Sequence, residues 1–149
     1  MSYVLACMAL GLLVAADAPK DGLKQDKERL QGTWKAVTAQ EGGETKDDVE
    51  DHRLIFSGDE FRVKKGDETI IEGKFRIDAS KKPKEIDMKI TDARKEDFNG
   101  KTALGIYELD ADTLKWCANE PGATERPKKF SSDAENKHIL ATLKREKSK

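Results

Sequence analysis

The sequence predicts an all-β fold in which about eight antiparallel strands close into an up-and-down barrel, preceded by a short helix. Two observations lead to this fold class. Apolar and charged residues alternate with a period of two in several segments after residue 60, which is typical of strands with one buried and one solvated face. Short turn sequences separate the segments, a pattern that suits a barrel or a sandwich. The length of 149 residues fits a single domain with one core.

The predicted elements follow one another along the chain. A helix is predicted at residues 21–31, within a highly charged run, and a second short helix in the segment KDDVEDH, residues 46–52. The strands are predicted at 32–40, 53–57, 61–64, 71–77, 85–91, 102–109, 112–119 and 137–145. Residues with turn propensity fall between them: Gly58-Asp59, Lys65-Gly66-Asp67 and Asp110-Ala111-Asp112. The two aspartates at 110 and 112 are therefore interpreted as a hairpin turn rather than as a calcium site.

The alternation also predicts which side chains face the interior. Phe61, Phe75, Met88 and Trp116 each lie between charged or polar neighbours, so we expect them to point inward. Strand 102–109 is ambiguous, because Leu104 and Ile106 form one apolar face and Tyr107 and Leu109 form the other. The prediction places Ile106 inward. Small residues at inward positions, namely Gly73, Ala103 and Gly105, would leave space inside the barrel.

The first 16 residues, MSYVLACMALGLLVAA, form an uncharged apolar block that ends abruptly at Asp17. Such a block followed by small residues predicts a secretion signal, and it is too short for a membrane span of about 20 residues. Cleavage is predicted after Ala16, with Ala18 as the alternative. The sequence thus divides into a signal peptide at 1–16, a linker and short helix at 17–29, and a barrel domain at 30–147. We expect an exported protein, periplasmic or extracellular.

The amino-acid composition argues against several classes of function. There are 28 Lys and Arg residues against 29 Asp and Glu, for a formal net charge of −1, and this balance argues against nucleic acid as a partner. Removing the first 16 residues leaves Cys117 as the only cysteine, so no internal disulfide is expected. The two histidines, His52 and His138, have no metal-ligand spacing, and LKWCANE offers Cys117 no base. The sequence predicts no enzyme activity, no metal site and no cofactor.

Six segments carry a resemblance to a known family: LQGTWK, FSGDEF, GKFRIDASKKPKEID, LGIYELDADTLKWC, ERPKKF and LKRE. In this order they are similar to the motifs of a family of small exported domains enriched in planctomycete bacteria and regarded as lipocalin-like. The similarity runs from about residue 29 to 146. It implies a lipocalin-like barrel and brings no activity with it. The pattern of that fold includes a Gly-x-Trp on the first strand, here Gly32-Thr33-Trp34, and an arginine near the end of the last strand, here Arg145.

The same pair can be interpreted from the residues alone. Arg145 shares the parity of Ile139, Ala141 and Leu143 and so points inward from the last strand. A barrel closes by pairing its first and last strands, which would bring Arg145 over the indole of Trp34. Gly32 would let the preceding helix cross close beneath. The alternative is a plain core tryptophan beside an unrelated surface arginine.

Two functions are compatible with such a barrel. The first is a binding module for a small apolar ligand, contacted by Phe61, Phe75, Met88, Ile106 and Trp116, with Arg126 at the mouth if its loop folds over. The alternative for Arg126 is a salt bridge that fixes this loop. The second function is a protein-interaction or structural domain of the cell envelope with an interior filled by side chains. A monomer with no membrane span is expected in either case.

Overall fold

The computed structural model describes residues 18–147, and it shows a closed antiparallel barrel of eight strands with one α-helix on its N-terminal side. The helix, α1, spans Ala18–Leu30. The strands are β1 Gly32–Glu41, β2 Glu44–Thr45, β3 His52–Ser57, β4 Glu60–Lys65, β5 Glu68–Asp78, β6 Lys84–Ala93, β7 Thr102–Asp110, β8 Thr113–Ala118 and β9 Ile139–Arg145. The all-β barrel prediction is confirmed.

The sheet order follows the chain. Each strand from β3 to β9 pairs with the next, β1 pairs with β3, and β1 also pairs with β9, which closes the barrel. Strand β2 lies outside this ring of eight, because its two residues pair only with the end of β1. The register of closure places Trp34 directly opposite Arg145. A bulge between Ala36 and Thr38 leaves Val37 exposed on the outside.

Local structure differs from the prediction at the second helix, and two short elements were not predicted, the strand β2 and a 3-10 turn. The predicted helix at 46–52 is only a single 3-10 turn, Val49–Asp51. A second 3-10 turn, Glu96–Phe98, lies between β6 and β7. The segment from residue 119 to 138 contains no strand and covers the outer face of β6, β7 and β8. Two residues of this segment contact β8: the Ser131 carbonyl oxygen lies 3.5 Å from Cys117 Sγ, and the centre of the Phe130 ring lies 5.4 Å from the Lys115 ammonium.

The predicted signal peptide at 1–16 lies outside the described residues. Within residues 18–147, no helix combines the length and the apolar character needed to cross a membrane.

Helix α1 closes one end of the barrel, which we call the floor. The helix is tied to the β3–β4 turn by an ion pair between Lys27 and Asp59, and hydrogen bonding to Lys27 holds the pKa of the Asp59 carboxyl below its ordinary value. Gln31 both donates to the Gly58 carbonyl oxygen at 3.0 Å and accepts from the Gly58 N–H at 2.7 Å. The opposite end, the mouth, is formed by the ends of β1, β6 and β8, and no helix among residues 18–147 covers the interior there.

Two glycines allow strands to approach closely instead of leaving space. A Cβ atom at Gly73 would lie 1.9 Å from the carbonyl oxygen of Lys89, next to a bulge between β5 and β6. At Gly105 a Cβ atom would lie 2.9 Å from the carbonyl oxygen of Cys117. The expectation that these glycines open the interior is therefore wrong, whereas Ala103 does line a cavity.

Candidate functional site

The floor half of the interior is filled by side chains. Trp34 is fully buried, and its indole Nε1–H donates to the Leu30 carbonyl oxygen at 2.8 Å, which joins β1 to the end of α1. Arg145 stacks on this indole, with its guanidinium carbon 4.4 Å from the ring centre. The guanidinium also donates to the carbonyl oxygens of Gln31 and Arg29. The stacking expected from the sequence is present, and it fixes the turn between helix and barrel.

Gly32 has a positive φ of 115°, and a Cβ atom there would lie 3.2 Å from an Nη atom of Arg145. This position therefore needs glycine both for its backbone conformation and for the space that the arginine occupies. The sequence predicted a close crossing of the preceding helix at Gly32, whereas the group found near this position is the Arg145 guanidinium.

A buried carboxylate on α1 completes the floor. Asp26 is 2% exposed, and its Oδ2 accepts hydrogen bonds from the Lys84 ammonium and from the Tyr107 hydroxyl, both at 2.8 Å. Arg29 lies 3.5 Å from its other oxygen. Burial, and then the hydrogen bond to this carboxylate, raise the pKa of Tyr107 far above its ordinary value. Asp26 was not predicted from the sequence, because one acid within a charged helical run carries no sign of burial.

Phe75 belongs to this filled half. Its ring packs edge-on against Phe56, with ring centres 4.7 Å apart and an interplanar angle of 62°. It does not line the open cavity described below, so the prediction that Phe75 contacts a ligand there is not supported by its position.

The mouth half of the interior contains two neighbouring, mainly apolar hollows that share part of their lining, and we call them the two lobes of the cavity. The β6–β7 lobe has a volume of about 520 Å³ and the β1–β9 lobe one of about 440 Å³. Both volumes fall in the range of about 300–1,000 Å³ that is usual for small-molecule sites. Six residues line both lobes: Glu41, Val63, Ile71, Met88, Trp116 and Ile139.

Each lobe has its own lining. The β6–β7 lobe is lined by Phe61, Ile90, Ala103 and Phe98, with a rim of polar residues from the β6–β7 loop and from the start of the 119–138 segment. The β1–β9 lobe is lined by small and aliphatic side chains, among them Ala36, Ala39, Leu54, Ala141 and Leu143. Three predicted ligand-contacting residues, Phe61, Met88 and Trp116, lie in the cavity.

Ile106 and Arg126 lie outside the barrel, so the inward position predicted for Ile106 is wrong, as is the mouth position that was one of two alternatives for Arg126. Ile106 pairs across the sheet with Glu85 and Cys117, while Tyr107, its neighbour, points inward to Asp26. The 119–138 segment covers Ile106, so both faces of β7 are buried and the alternation that reveals an inward face is lost. The Cys117 thiol lies under the same segment, and burial raises its pKa.

Arg126 lies on the outer face of β6 and β7 and not at the mouth. Its guanidinium donates to the carbonyl oxygens of Ile86 at 3.1 Å and Gly105 at 2.8 Å, and it pairs with Asp87 at 2.5 Å. The structure thus favours the alternative in which an ion pair fixes the loop. Ile106 and Arg126 border a separate outer hollow of about 590 Å³ that also includes Pro83, Pro127 and several charged side chains.

The walls of both lobes are mainly apolar. Among residues 18–147, no three His, Cys, Asp or Glu side chains are grouped so that they could hold a metal ion. Two residues that line the cavity each carry a buried polar atom without a hydrogen-bond partner among the described residues: the indole Nε1 of Trp116 and the Nδ1 of His52. Comparisons with protein-family models, curated proteins and solved structures found no match to this chain. The family resemblance remains an expectation from the sequence motifs.

Proposed function

We propose that this chain is an exported, non-enzymatic, lipocalin-like barrel that binds a small apolar molecule in the open cavity at its mouth. The observation that carries the proposal is the contrast within one barrel: the floor is filled by Trp34, Phe56 and Phe75, while the mouth half is open and apolar. Burying apolar surface stabilises a complex by roughly 25 cal/mol per Å² before the costs of association are subtracted. An unfilled apolar cavity of this size is thus a favourable site for an apolar guest.

Binding is tested by titrating the purified chain with N-phenyl-1-naphthylamine, an apolar probe whose emission rises in apolar surroundings. We expect saturable binding, with quenching of Trp116 emission because this side chain lines both lobes. Replacing Ala141 by leucine would fill part of the β1–β9 lobe and weaken probe binding by about 5-fold or more, on the scale of one or two buried methylene groups. Ala103→Leu would do the same in the β6–β7 lobe.

Thr142→Leu is the matched control, because Thr142 neighbours Ala141 on β9 but pairs with the exposed Lys115 on the outer face. It should leave probe binding unchanged. A folded chain that takes up no probe, or one in which all three variants bind equally well, would refute the binding proposal. The remaining account would then be the protein-interaction or structural domain of the cell envelope.

Export is a separate part of the proposal and rests on the apolar block at residues 1–16. Cell fractionation followed by N-terminal sequencing should recover a mature chain that begins near Asp17 from outside the cytoplasm. Recovery of the intact chain with Met1 from the cytoplasm of the native cell would contradict export and leave the binding proposal untouched.

A further inference from the structure

The charges around the cavity differ between the two lobes. Three of the four charged side chains that line the β1–β9 lobe are already paired within the chain: Lys46 with Glu41 at 3.4 Å, and Arg53 with Glu146 at 2.9 Å. A polar group of a ligand would have to compete with these contacts. This lobe therefore offers mainly its apolar wall.

The rim of the β6–β7 lobe is different. Lys95, Asp97, Lys101 and Glu120 line it, and within residues 18–147 none of the four forms an ion pair. We call these four residues the charged rim. The Lys95 ammonium lies 4.8 Å from the centre of the Phe98 ring, which itself lines the lobe. Two ammonium groups and two carboxylates are thus available at one opening.

Backbone hydrogen bonds hold the charged rim in place. The Phe98 N–H donates to the Lys95 carbonyl oxygen at 3.0 Å, and the Ile90 N–H donates to the Lys101 carbonyl oxygen at 2.9 Å. The side chain of Asn119 accepts from the Glu120 N–H at 2.8 Å and donates to the Glu125 carbonyl oxygen at 3.0 Å. The loops that carry the four charges are therefore fixed relative to the ends of β6, β7 and β8.

We infer that the cavity takes a single-chain amphiphile with a zwitterionic head, bound with the head at the charged rim and the tail extending past Met88 and Trp116 into the β1–β9 lobe. This inference rests on the proposed binding function and adds the ligand's polarity and its orientation. A head with a single charge always meets a like charge at a rim with two charges of each sign. A zwitterion pairs with both kinds, so the rim discriminates by repulsion as well as by attraction.

Head selectivity is tested with four ligands that share a decyl tail: decanol, decanoate, decylamine and decylphosphocholine. They are titrated calorimetrically into the full chain at pH 7, below their micelle concentrations and at low ionic strength. Exposed ion pairs contribute little each, so decylphosphocholine should bind about 3- to 10-fold more tightly than decanol. The two singly charged ligands should stay within about 2-fold of decanol, because attraction and repulsion offset each other.

The combined variant Lys95→Met/Lys101→Met should abolish the advantage of decylphosphocholine over decanol. Lys74→Met/Lys89→Met is the matched control, since it removes the same charge from exposed positions that pair with each other on the outer face of β5 and β6. The control variant should still bind decylphosphocholine more tightly than decanol. Equal binding of all four heads, or an advantage that survives in the rim variant, would overturn the inferred head selectivity.

Tail orientation is tested with Ala141→Leu, which shortens the β1–β9 lobe. This substitution should weaken the binding of decylphosphocholine by about 5-fold or more. It should weaken the binding of hexylphosphocholine much less, because a shorter tail does not reach this residue. Equal effects on both tails would overturn the inferred orientation. Failure of every decyl ligand to bind, decanol included, would instead overturn the proposed function itself, so the two failures are distinguishable.

Discussion

The two ends of this barrel are built from the same strands, but the interior is filled at one end and open at the other. At the floor, α1 covers the opening, and the interior is packed by Trp34, Phe56 and Phe75 with a buried carboxylate, Asp26, that joins helix to barrel. At the mouth, alanines and aliphatic side chains line an open cavity. The difference shows how a small barrel can be stabilised at one end while the interior at the other end stays open.

The floor depends on polar contacts as much as on apolar packing. Arg145, Asp26 and the indole N–H of Trp34 each link α1, or the residue that follows it, to a strand. In the part of the chain that the structure describes, no such hydrogen bond or ion pair crosses the cavity. We therefore expect substitutions at the floor to change the free energy of unfolding and substitutions at the mouth to change mainly binding.

The largest effect is expected at Trp34. Replacing it by alanine should lower the free energy of unfolding by about 3–5 kcal/mol, because a fully buried indole is lost. Arg145→Ala should lower it by about 1–2 kcal/mol, and the double variant should lose less than the sum because the two side chains stack. Urea denaturation of the four proteins measures this coupling.

Lys144→Ala serves as the control in that cycle. Lys144 neighbours Arg145 on β9, is exposed and pairs with Lys35 and Thr113 away from the indole. It should change stability by less than about 0.5 kcal/mol. Strict additivity of Trp34→Ala and Arg145→Ala would contradict the stacking and weaken the account of the floor.

The next largest effect is expected at Asp26. Asp26→Ala should lower the free energy of unfolding by about 2–4 kcal/mol, because the Tyr107 hydroxyl and the Lys84 ammonium lose a shared acceptor inside the floor. Glu28→Ala on the exposed face of the same helix is the control and should have little effect. If both variants unfold at the same urea concentration, the buried carboxylate is not what attaches α1 to the barrel.

The barrel itself could be predicted because most strands have one charged face. Phe61, Met88 and Trp116 lie inside as their neighbours' charges indicated, and the pairing of first and last strands brought Trp34 to Arg145. Successive side chains of a strand point to opposite faces, so apolar and polar residues alternate wherever one face of the strand is in contact with water.

The sequence predictions were wrong on the outer face of β7, which the 119–138 segment covers. The 119–138 segment buries Ile106 and draws Arg126 to the outer face, and nothing in the alternation of β7 reveals this cover. The open mouth could not be predicted either. Whether Gly73 and Gly105 leave space or allow strands to touch depends on backbone distances, which composition does not give.

The smallest effect on stability is expected from filling the mouth, and it is the sharpest test of the comparison. Ala141→Leu adds apolar atoms to open space, so it should change the free energy of unfolding by less than about 1 kcal/mol in either direction. Gly105→Ala adds a single methyl group where the interior is closed, and it should cost about 1–3 kcal/mol because that carbon meets the Cys117 carbonyl oxygen at 2.9 Å and Ala118 Cβ at 3.1 Å. Urea denaturation of the two variants compares them directly. Equal losses from both would mean that the mouth is packed as tightly as the rest of the barrel, and the contrast between the two ends would no longer hold.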